Sequence, residues 1–207
     1  MRSGSVVFLA GLCCAGAIFS SAAEATGKAA VKPASSKPVE PKPELYPLPP
    51  TLKDVAYGTH KKQVFHFWKA ASEQPTPMLL FIHGGGWIGG NRSSGLTRLL
   101  PVMLSNGVSV ASIEYRFINE AASDGEVPPV KGPLTDAARA LQFIRSKAAE
   151  LSIDKARIAA SGGSAGACSS LWLAFHDDLA DPKSADPVAR ESSRLWCAAV
   201  TGAQTTL

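Results

Sequence analysis

Hydrophobic and polar positions recur with two different periods along the chain, and together they predict strands followed by helices. Residues 52–57 and 63–68 are two short strand candidates, and apolar side chains occur on both faces of the second. The apolar run 78–82 follows a proline and indicates a strand buried on both faces, as in a parallel sheet. Three further strands are predicted at residues 108–113, 157–160 and 196–200.

Apolar residues at helical spacing predict three helices between the later strands. The first holds the apolar residues from Leu96 to Leu104 and is closed by an Asn-Gly pair, the second covers residues 137–151, and the third covers residues 165–179. Residues 119–133 show no periodicity and contain three prolines, so a surface loop is predicted there. This order of elements predicts an α/β fold with a mostly parallel sheet and helices on both of its faces.

Residues 1–23 have the features of a secretory signal peptide. A basic start at Arg2 is followed by the apolar run 6–19 and by the small residues 21–23, which suit cleavage. As a helix this apolar run spans about 21 Å, which is shorter than the hydrocarbon core of a bilayer. We therefore expect a secreted or periplasmic protein with no stable membrane anchor, and a retained anchor is the alternative.

Residues 24–50 are predicted to form a linker rich in proline and lysine. Seven of the 15 prolines lie within residues 27–50, with lysine, serine and glutamate between them. Such a segment is extended and solvated. Residues 51–207 remain for packing, which is enough for one domain with a real core and too few for two.

The charge distribution excludes one class of protein. The net charge of +4 comes from 21 basic and 17 acidic residues, and residues 51–207 contain no basic run. Nucleic-acid-binding proteins normally carry a clustered basic face, so this class is excluded.

Cleavage of the predicted signal peptide would leave two cysteines, Cys168 and Cys197. Export permits a disulfide between them, but we favour two separate buried thiols.

The sharper of two glycine-rich loops is Gly162-Gly163-Ser164-Ala165-Gly166, which fits G-x-S-x-G between a predicted strand and a predicted helix. Glycine permits the tight, strained turn that lifts such a serine above the sheet edge. The Ala165 N–H would then lie at a helix N-terminus, where unpaired amides and the helix dipole favour an oxyanion. A turn of small residues that merely permits close packing is the alternative interpretation.

The second loop is His83-Gly84-Gly85-Gly86-Trp87, between a buried strand and a helix. Consecutive glycines allow backbone N–H groups to converge on one point, as a tetrahedral oxyanion requires. His83 is expected to fix the shape of this loop through a hydrogen bond and not to act as a general base. Trp87 is expected to pack as a wall or to line the mouth of the site.

Three groups of residues together resemble α/β-hydrolases of the hormone-sensitive-lipase-like kind, near the carboxylesterases and the polysaccharide-deacetylating esterases. They are the loop 83–87, Glu114-Tyr115-Arg116 after the next strand, and residues 154–166 around the serine. The resemblance covers roughly residues 55–204, and the two loops in this order are specific together.

The resemblance implies a serine carboxylic-ester hydrolase of α/β-hydrolase fold that works through an acyl-enzyme. It implies that Ser164 is the nucleophile and that the amides of Gly85, Gly86 and Ala165 form the oxyanion hole. The residues expected to shape the two loops are His83, Gly84, Trp87, Gly162 and Gly166. No metal or cofactor is implied. The implied partners are small-molecule or carbohydrate esters with short acyl groups, such as acetylated polysaccharide.

The remaining catalytic groups of this family follow the nucleophile in the order acid, then histidine. His176 is the one histidine after Ser164, and its twelve-residue separation corresponds to about 18 Å along a helix, which is out of reach. We therefore expect the chain to be the N-terminal portion of a longer protein, ending after about the sixth strand. By itself it is expected to be inactive, with residues 196–200 as an exposed apolar edge.

Three other classes of protein stay open on the sequence alone. Gly84, Gly86, Gly89 and Glu114 also fit a dinucleotide-binding fingerprint, although Trp87 would crowd the pyrophosphate. A serine peptidase of the same fold would share the serine turn. A non-catalytic, hydrolase-like binding module would explain the missing base, but it would not need both a nucleophile turn and an oxyanion loop.

Overall fold

Six β-strands form one mixed sheet in the computed structural model, which describes residues 48–204. Their order in the sheet is β1-β2-β4-β3-β5-β6. The strands are β1 (Leu52–Ala56), β2 (Val64–Trp68), β3 (Thr76–Ile82), β4 (Ser109–Ile113), β5 (Ile153–Gly163) and β6 (Cys197–Thr201). β2 pairs antiparallel with both β1 and β4, whereas β4, β3, β5 and β6 run parallel to one another. The predicted α/β architecture with a mostly parallel sheet is confirmed.

The described residues also contain five α-helices, which lie on both faces of this sheet as predicted. They are α1 (Leu99–Ser105), α2 (Ile118–Ser123), α3 (Lys131–Ser146), α4 (Ala148–Leu151) and α5 (Ala165–Phe175). None of the helices in this part of the chain is long and apolar enough to cross a membrane. The predicted signal peptide, residues 1–23, and most of the predicted linker, residues 24–50, lie outside the described residues.

The central strand β3 divides the core into two layers because successive side chains of a strand point to opposite faces. Met78, Leu80 and Ile82 lie in the larger cluster, which α3 and α5 cover. Leu79 and Phe81 lie in the smaller cluster on the other face, where α1 contributes Leu100 among others. The prediction that this strand is buried on both faces is therefore confirmed.

The parallel register brings the two glycine-rich loops to the same edge of the sheet. Ile82, the last residue of β3, pairs with Gly162 of β5 on one side and with Ile113 of β4 on the other. Parallel strands that are in register end at a common edge. The chain that leaves β3 at His83 and the turn that leaves β5 at Ser164 therefore become neighbours.

The loop predicted at residues 119–133 is confirmed for residues 124–130 and wrong at both ends. Helix α2 covers Ile118–Ser123, and α3 begins at Lys131 with Pro133 inside its first turn. Proline is tolerated at this position because the first N–H groups of a helix have no partner within the helix. Pro133 therefore lies at a helix start, whereas Pro128 and Pro129 lie in the loop before it, as predicted.

The three predicted helices differ from the observed ones at their ends. α1 begins at Leu99 and not at Leu96, although the Leu96 side chain is fully buried. The predicted helix 137–151 divides at Lys147, whose backbone angles of φ −100° and ψ 13° separate α3 from α4. α5 ends at Phe175, because the following residue is extended with ψ 157°.

An ion pair lies at the edge of the core. Arg116 and Asp136 form an ion pair in which Nη2 lies 2.8 Å from Oδ1, and Asp136 is 1% exposed. This pair ties the chain after β4 to helix α3.

Cys168 and Cys197 are both free, so the prediction of two separate thiols is confirmed, although each is half-buried and not deep in the core.

Replacing Leu80 with alanine is expected to destabilise the fold strongly. The side chain is fully buried in the central strand, so its truncation leaves a cavity that costs about 2–5 kcal/mol. Urea unfolding of the whole protein would measure this as a lower midpoint. Val102→Ala on α1 is the control, since Val102 is 52% exposed, and it should shift the midpoint little. Equal losses from the two variants would contradict this description of the core.

Candidate active site

Ser164 occupies a strained turn between β5 and α5. Its backbone angles are φ 53° and ψ −122°, a conformation that a non-glycine residue keeps only when its surroundings enforce it. The residue is exposed, and Ala165 begins α5 directly after it. The Ser164 N–H donates to the Thr201 carbonyl of β6 at 3.1 Å. The serine is thereby held at the carboxyl edge of the sheet, where solvent reaches it.

Gly162 and Gly166 permit this turn because the end of β3 lies directly against both of them. A Cβ atom at Gly162 would come 2.3 Å from the Ile82 carbonyl oxygen, and one at Gly166 would come 2.0 Å from the same atom. These separations are far inside van der Waals contact. Any side chain at either position would force β3, β5 and α5 apart.

The glycines of the loop 83–87 adopt backbone angles that other residues rarely reach. Gly85 has φ 117° and Gly86 has φ 61°. The Gly85 carbonyl accepts hydrogen bonds from the N–H groups of Ile88 and Gly89, both at 3.1 Å. A Cβ at Gly85 would lie 2.1 Å from the Gly89 carbonyl oxygen, so this turn closes only with glycine at that position.

The amides predicted to form the oxyanion hole are unpaired. Within residues 48–204, the N–H groups of Gly85, Gly86 and Ala165 donate to no protein acceptor. The two loop glycines are exposed, and the first amides of a helix lack partners within it, as at Ala165. Unpaired N–H groups at the edge of a site are suited to binding developing negative charge.

The two loops touch at Gly84, and an open cleft lies beside this contact. A Cβ at Gly84 would come 2.7 Å from the Gly163 carbonyl oxygen and 3.5 Å from the Ser164 Cβ. The cleft has a volume of about 580 Å³. Its lining consists of Phe81, Gly84, Ser94, Gly95, Gly163, Ser164, Thr201 and Gly202. Because most of these residues are small, little side-chain bulk surrounds the serine.

The buried His83 ring fixes the start of the loop 83–87. Its Nε2 lies 2.9 Å from Glu114 Oε1, and the ring stacks on Tyr115 with centroids 4.3 Å apart. The Tyr115 hydroxyl donates to the His83 carbonyl at 2.8 Å. Burial, and to a smaller extent the Glu114 charge, raises the pKa of the Tyr115 hydroxyl, so it remains a donor. These contacts fit the predicted loop-shaping role of His83.

Arg92 extends this network from His83 to the wall of the cleft. Its backbone N–H and its Nη1 lie 3.3 and 3.4 Å from Glu114 Oε2, and its Nη2 pairs with Asp54. Ser94 and Gly95, which line the cleft, follow it closely in the chain. The ion pairs of Arg92 therefore anchor one wall of the cleft to β1 and to the residue after β4.

Trp87 packs against the larger core cluster and bridges to α5. Its indole N–H donates to Ser169 Oγ at 3.0 Å, and its carbonyl accepts the Ile118 N–H at 2.9 Å. Its φ of 58° is unusual for a bulky side chain. These contacts hold Trp87 in that conformation and fit the prediction that it packs as a wall.

A general base for Ser164 is not found among the described residues. His83 is bound to Glu114. The His60 ring accepts a hydrogen bond from the Lys62 N–H. The His66 ring accepts one from the Asp54 N–H and one from the Arg92 side chain. His176 caps the far end of α5, and its ring lies 4.2 Å from that of Trp172. Within this same part of the chain, no group of three or more His, Cys, Asp or Glu is placed to hold a metal ion.

The sequence profile of the BD-FAE family matches residues 67–195, a range that includes both glycine-rich loops. The chain belongs to the BD-FAE family. Two curated esterases are similar to it. Carboxylesterase NlhH of Mycobacterium tuberculosis is 33% identical over 130 residues, which cover 60% of this chain and 37% of that protein. Gut esterase 1 of Caenorhabditis elegans is 31% identical over 154 residues, which cover 64% of this chain and 26% of that protein.

Solved esterase structures share the fold of this BD-FAE chain. An acetyl ester-xyloside bifunctional hydrolase from Caldicellulosiruptor lactoaceticus superposes with a TM-score of 0.54 at 29% identity, covering 66% of this chain and 48% of that one. Esterase 2 from Thermogutta terrifontis gives a TM-score of 0.61 at 24% identity, covering 73% and 52%. The resemblance to α/β-hydrolase carboxylesterases is confirmed, and a dinucleotide-binding protein is no longer a candidate. The BD-FAE chain spans about half the length of these structures and less of the curated relatives.

Sequence patterns locate both loops but miss other parts of the cleft. Thr201 and Gly202 at the end of β6 line it, and a signal for them exists, since they follow a predicted parallel strand whose carboxyl end must share the edge. Ser94 and Gly95 lack such a signal because they lie between elements. No sequence pattern identifies Arg92 either, because its partners lie on strands that are distant in the sequence.

Replacing Gly84 with alanine is expected to separate the two loops and to destabilise the protein. The added methyl group would lie 2.7 Å from the backbone oxygen of Gly163, so the loop must move away from Ser164. Gly89→Ala, two residues after this loop, is the matched control, because a Cβ there meets nothing within 4 Å. Thermal unfolding should show a midpoint several degrees lower for Gly84→Ala alone. A Gly84→Ala protein as stable as Gly89→Ala would disprove the close contact.

Proposed function

We propose that the protein is a serine esterase in which Ser164 attacks the ester carbonyl and forms an acyl-enzyme. The observation that carries this proposal is the contact of the oxyanion loop with the Ser164 turn at Gly84. It puts a strained, exposed serine beside a loop whose amides are unpaired. Membership of the BD-FAE family and similarity to named esterases support the same class of reaction.

In the proposed first step, Ser164 Oγ bonds to the ester carbon and gives its proton to a base. The carbonyl oxygen becomes an oxyanion, to which the amides of Gly85, Gly86 and Ala165 would donate. One such donor typically contributes about 3 kcal/mol of transition-state stabilisation. When the tetrahedral intermediate collapses, the C–O bond to the alcohol breaks and the base returns the proton to the leaving alcohol. Water then attacks the acyl-enzyme by the same route and releases the acid.

The base is proposed to be a histidine oriented by a carboxylate, both from chain outside residues 48–204. The described histidines support this placement, since His83 is bound to Glu114 and His176 lies at the opposite end of α5 from Ser164. In hydrolases of this fold the two groups come after the nucleophile in the sequence. The greater length of the similar esterases is compatible with this arrangement.

The proposed substrates are esters with short acyl groups, including acetylated carbohydrate. The cleft beside Ser164 is open, and Phe81 is the one large side chain among the small residues that line it, which leaves room for a short acyl group. The similar hydrolase from Caldicellulosiruptor lactoaceticus is named for an acetyl ester and a xyloside. A polymeric substrate outside the cell would also suit the export predicted for residues 1–23, so we propose a secreted or periplasmic location.

Replacing Ser164 with alanine in the whole protein is expected to abolish hydrolysis of p-nitrophenyl acetate. Loss of the nucleophile should lower kcat by roughly 10³-fold or more. Release of p-nitrophenol measures the rate, and circular dichroism checks that the fold is kept. Ser105→Ala, at an exposed position on α1, is the control and should leave the rate unchanged.

Two outcomes would contradict this proposal. A Ser164→Ala protein that keeps the parent rate would exclude Ser164 as the nucleophile. A parent protein that cleaves p-nitroacetanilide, the matched amide, much faster than the ester would favour a peptidase of the same fold.

A further inference from the structure

A direct hydrogen bond joins the oxyanion loop to the nucleophile helix. The Trp87 indole N–H donates to Ser169 Oγ at 3.0 Å. Trp87 directly follows Gly86 in the loop, and Ser169 lies on α5, which begins at Ala165. The bond therefore spans from the loop that carries two proposed oxyanion donors to the helix that carries the third.

The acceptor of this bond is itself fixed. Ser169 is 1% exposed, and its hydroxyl donates to the Ala165 carbonyl at 3.0 Å. The indole N–H, the serine hydroxyl and the Ala165 carbonyl thus form a continuous chain of two hydrogen bonds. Because the Ser169 proton is committed to Ala165, the oxygen presents a lone pair to Trp87, and the direction of both bonds is determined.

No other direct hydrogen bond connects residues 83–90 with α5 among the described residues. Van der Waals contacts also join the two parts, since Gly84 lies against the Ser164 turn and Gly166 lies against the His83 carbonyl. Such a contact limits how closely the parts approach, but it does not prevent them from sliding or separating. A hydrogen bond of fixed direction supplies the restraint that the glycines lack.

We infer that Trp87 and Ser169 are positioning residues that set the distance between the two halves of the oxyanion hole. This inference rests on the proposed function. Donors must be held within about 0.5 Å of their productive positions to stabilise a transition state, and a displacement of 1 Å can cost on the order of 100-fold in rate. The other hydrogen bonds of the loop hold it to itself, to Glu114 and Tyr115, and to α2. Among the described residues, the Trp87–Ser169 bond is therefore the hydrogen bond that sets the loop relative to α5.

The test is a double-mutant cycle in the whole protein with p-nitrophenyl acetate as substrate. Trp87→Phe removes the N–H and keeps an aromatic ring, while Ser169→Ala removes the acceptor. Each single variant is expected to lower kcat about tenfold, while KM changes by less than about twofold, because oxyanion donors act mainly in the transition state. The double variant should be about as slow as either single variant, since both remove the same link.

Two matched controls separate this link from general damage to the helix. Ser170→Ala deletes a neighbouring buried hydroxyl that donates to the Gly166 carbonyl at 2.8 Å in the same way, but has no bond to Trp87. Trp172→Phe deletes an indole N–H on the same helix that bonds to no described residue. Both controls should keep kcat within about twofold of the parent, as expected for residues that do not share the link.

A second readout distinguishes positioning from a purely structural role. A trifluoromethyl ketone forms a tetrahedral oxyanion on the serine, so its inhibition constant reports the oxyanion hole. That constant should rise in Trp87→Phe and Ser169→Ala by about the factor by which kcat/KM falls. An unchanged inhibition constant, a kcat equal to that of the controls, or independent effects that multiply in the double variant would overturn the inference.

Failure of the proposed function would look different from failure of this inference. A parent protein without esterase activity, or one unaffected by Ser164→Ala, would overturn the proposed function and the oxyanion role of the link with it. A parent that is active and depends on Ser164, with variants that show no effect on kcat, would overturn the positioning inference alone.

Discussion

The Ile82 carbonyl oxygen is the point on which the geometry of the site depends. A Cβ atom added at Gly162 would come 2.3 Å from this oxygen, and one added at Gly166 would come 2.0 Å from it. Without side chains at these two positions, β5 and the first turn of α5 close onto the end of β3, which places the Ser164 turn against the chain that begins at His83. The parallel pairing of Ile82 with Gly162 then fixes the height at which the two loops meet. The strain at Ser164 persists because strand pairing and helix packing determine the backbone on both sides of it.

A buried polar network holds the other side of this arrangement. Glu114 is 6% exposed and lies within reach of the His83 ring and of the Arg92 side chain. A buried carboxylate without partners would be very costly, so these groups stabilise one another only as a set. The set ties the oxyanion loop, the cleft wall after Arg92 and the end of β4 together. The fold therefore fixes the loop by hydrogen bonds at its start, at His83, and at its end, at Trp87, and leaves the glycines between them open.

Sequence patterns predict the fold and the two loops well because both depend on local rules. Runs of apolar residues indicate all six strands of the described region, although β5 is predicted only at residues 157–160 and extends over Ile153–Gly163. The glycine motifs locate the turns that β3 and β5 enter. The partners of each side chain are less accessible. Arg92, Ser169 and Asp136 bind residues distant in sequence, and no local pattern encodes which strand or helix will face them. The predicted loop at residues 119–133 is too long for a related reason, because a proline in the first turn of a helix and one in a loop look alike until the rest of the helix is packed.

The proposed ester hydrolysis needs two kinds of group, donors that stabilise the oxyanion and a base that accepts the serine proton. In the proposed reaction, stabilising the oxyanion needs oriented donors. These would be supplied by the glycine loop and the first amide of α5, held in place by the link through Trp87 and Ser169. Accepting the serine proton needs a base near Ser164, and His83, the buried histidine that begins the loop 83–87, is bound to Glu114. Oxyanion stabilisation and substrate binding alone leave a serine hydrolase with about 10³–10⁴-fold acceleration over water. The proposed base would supply the rest. In this proposal the sheet edge between β3 and β5 would stabilise the oxyanion, and a separate element would accept the serine proton.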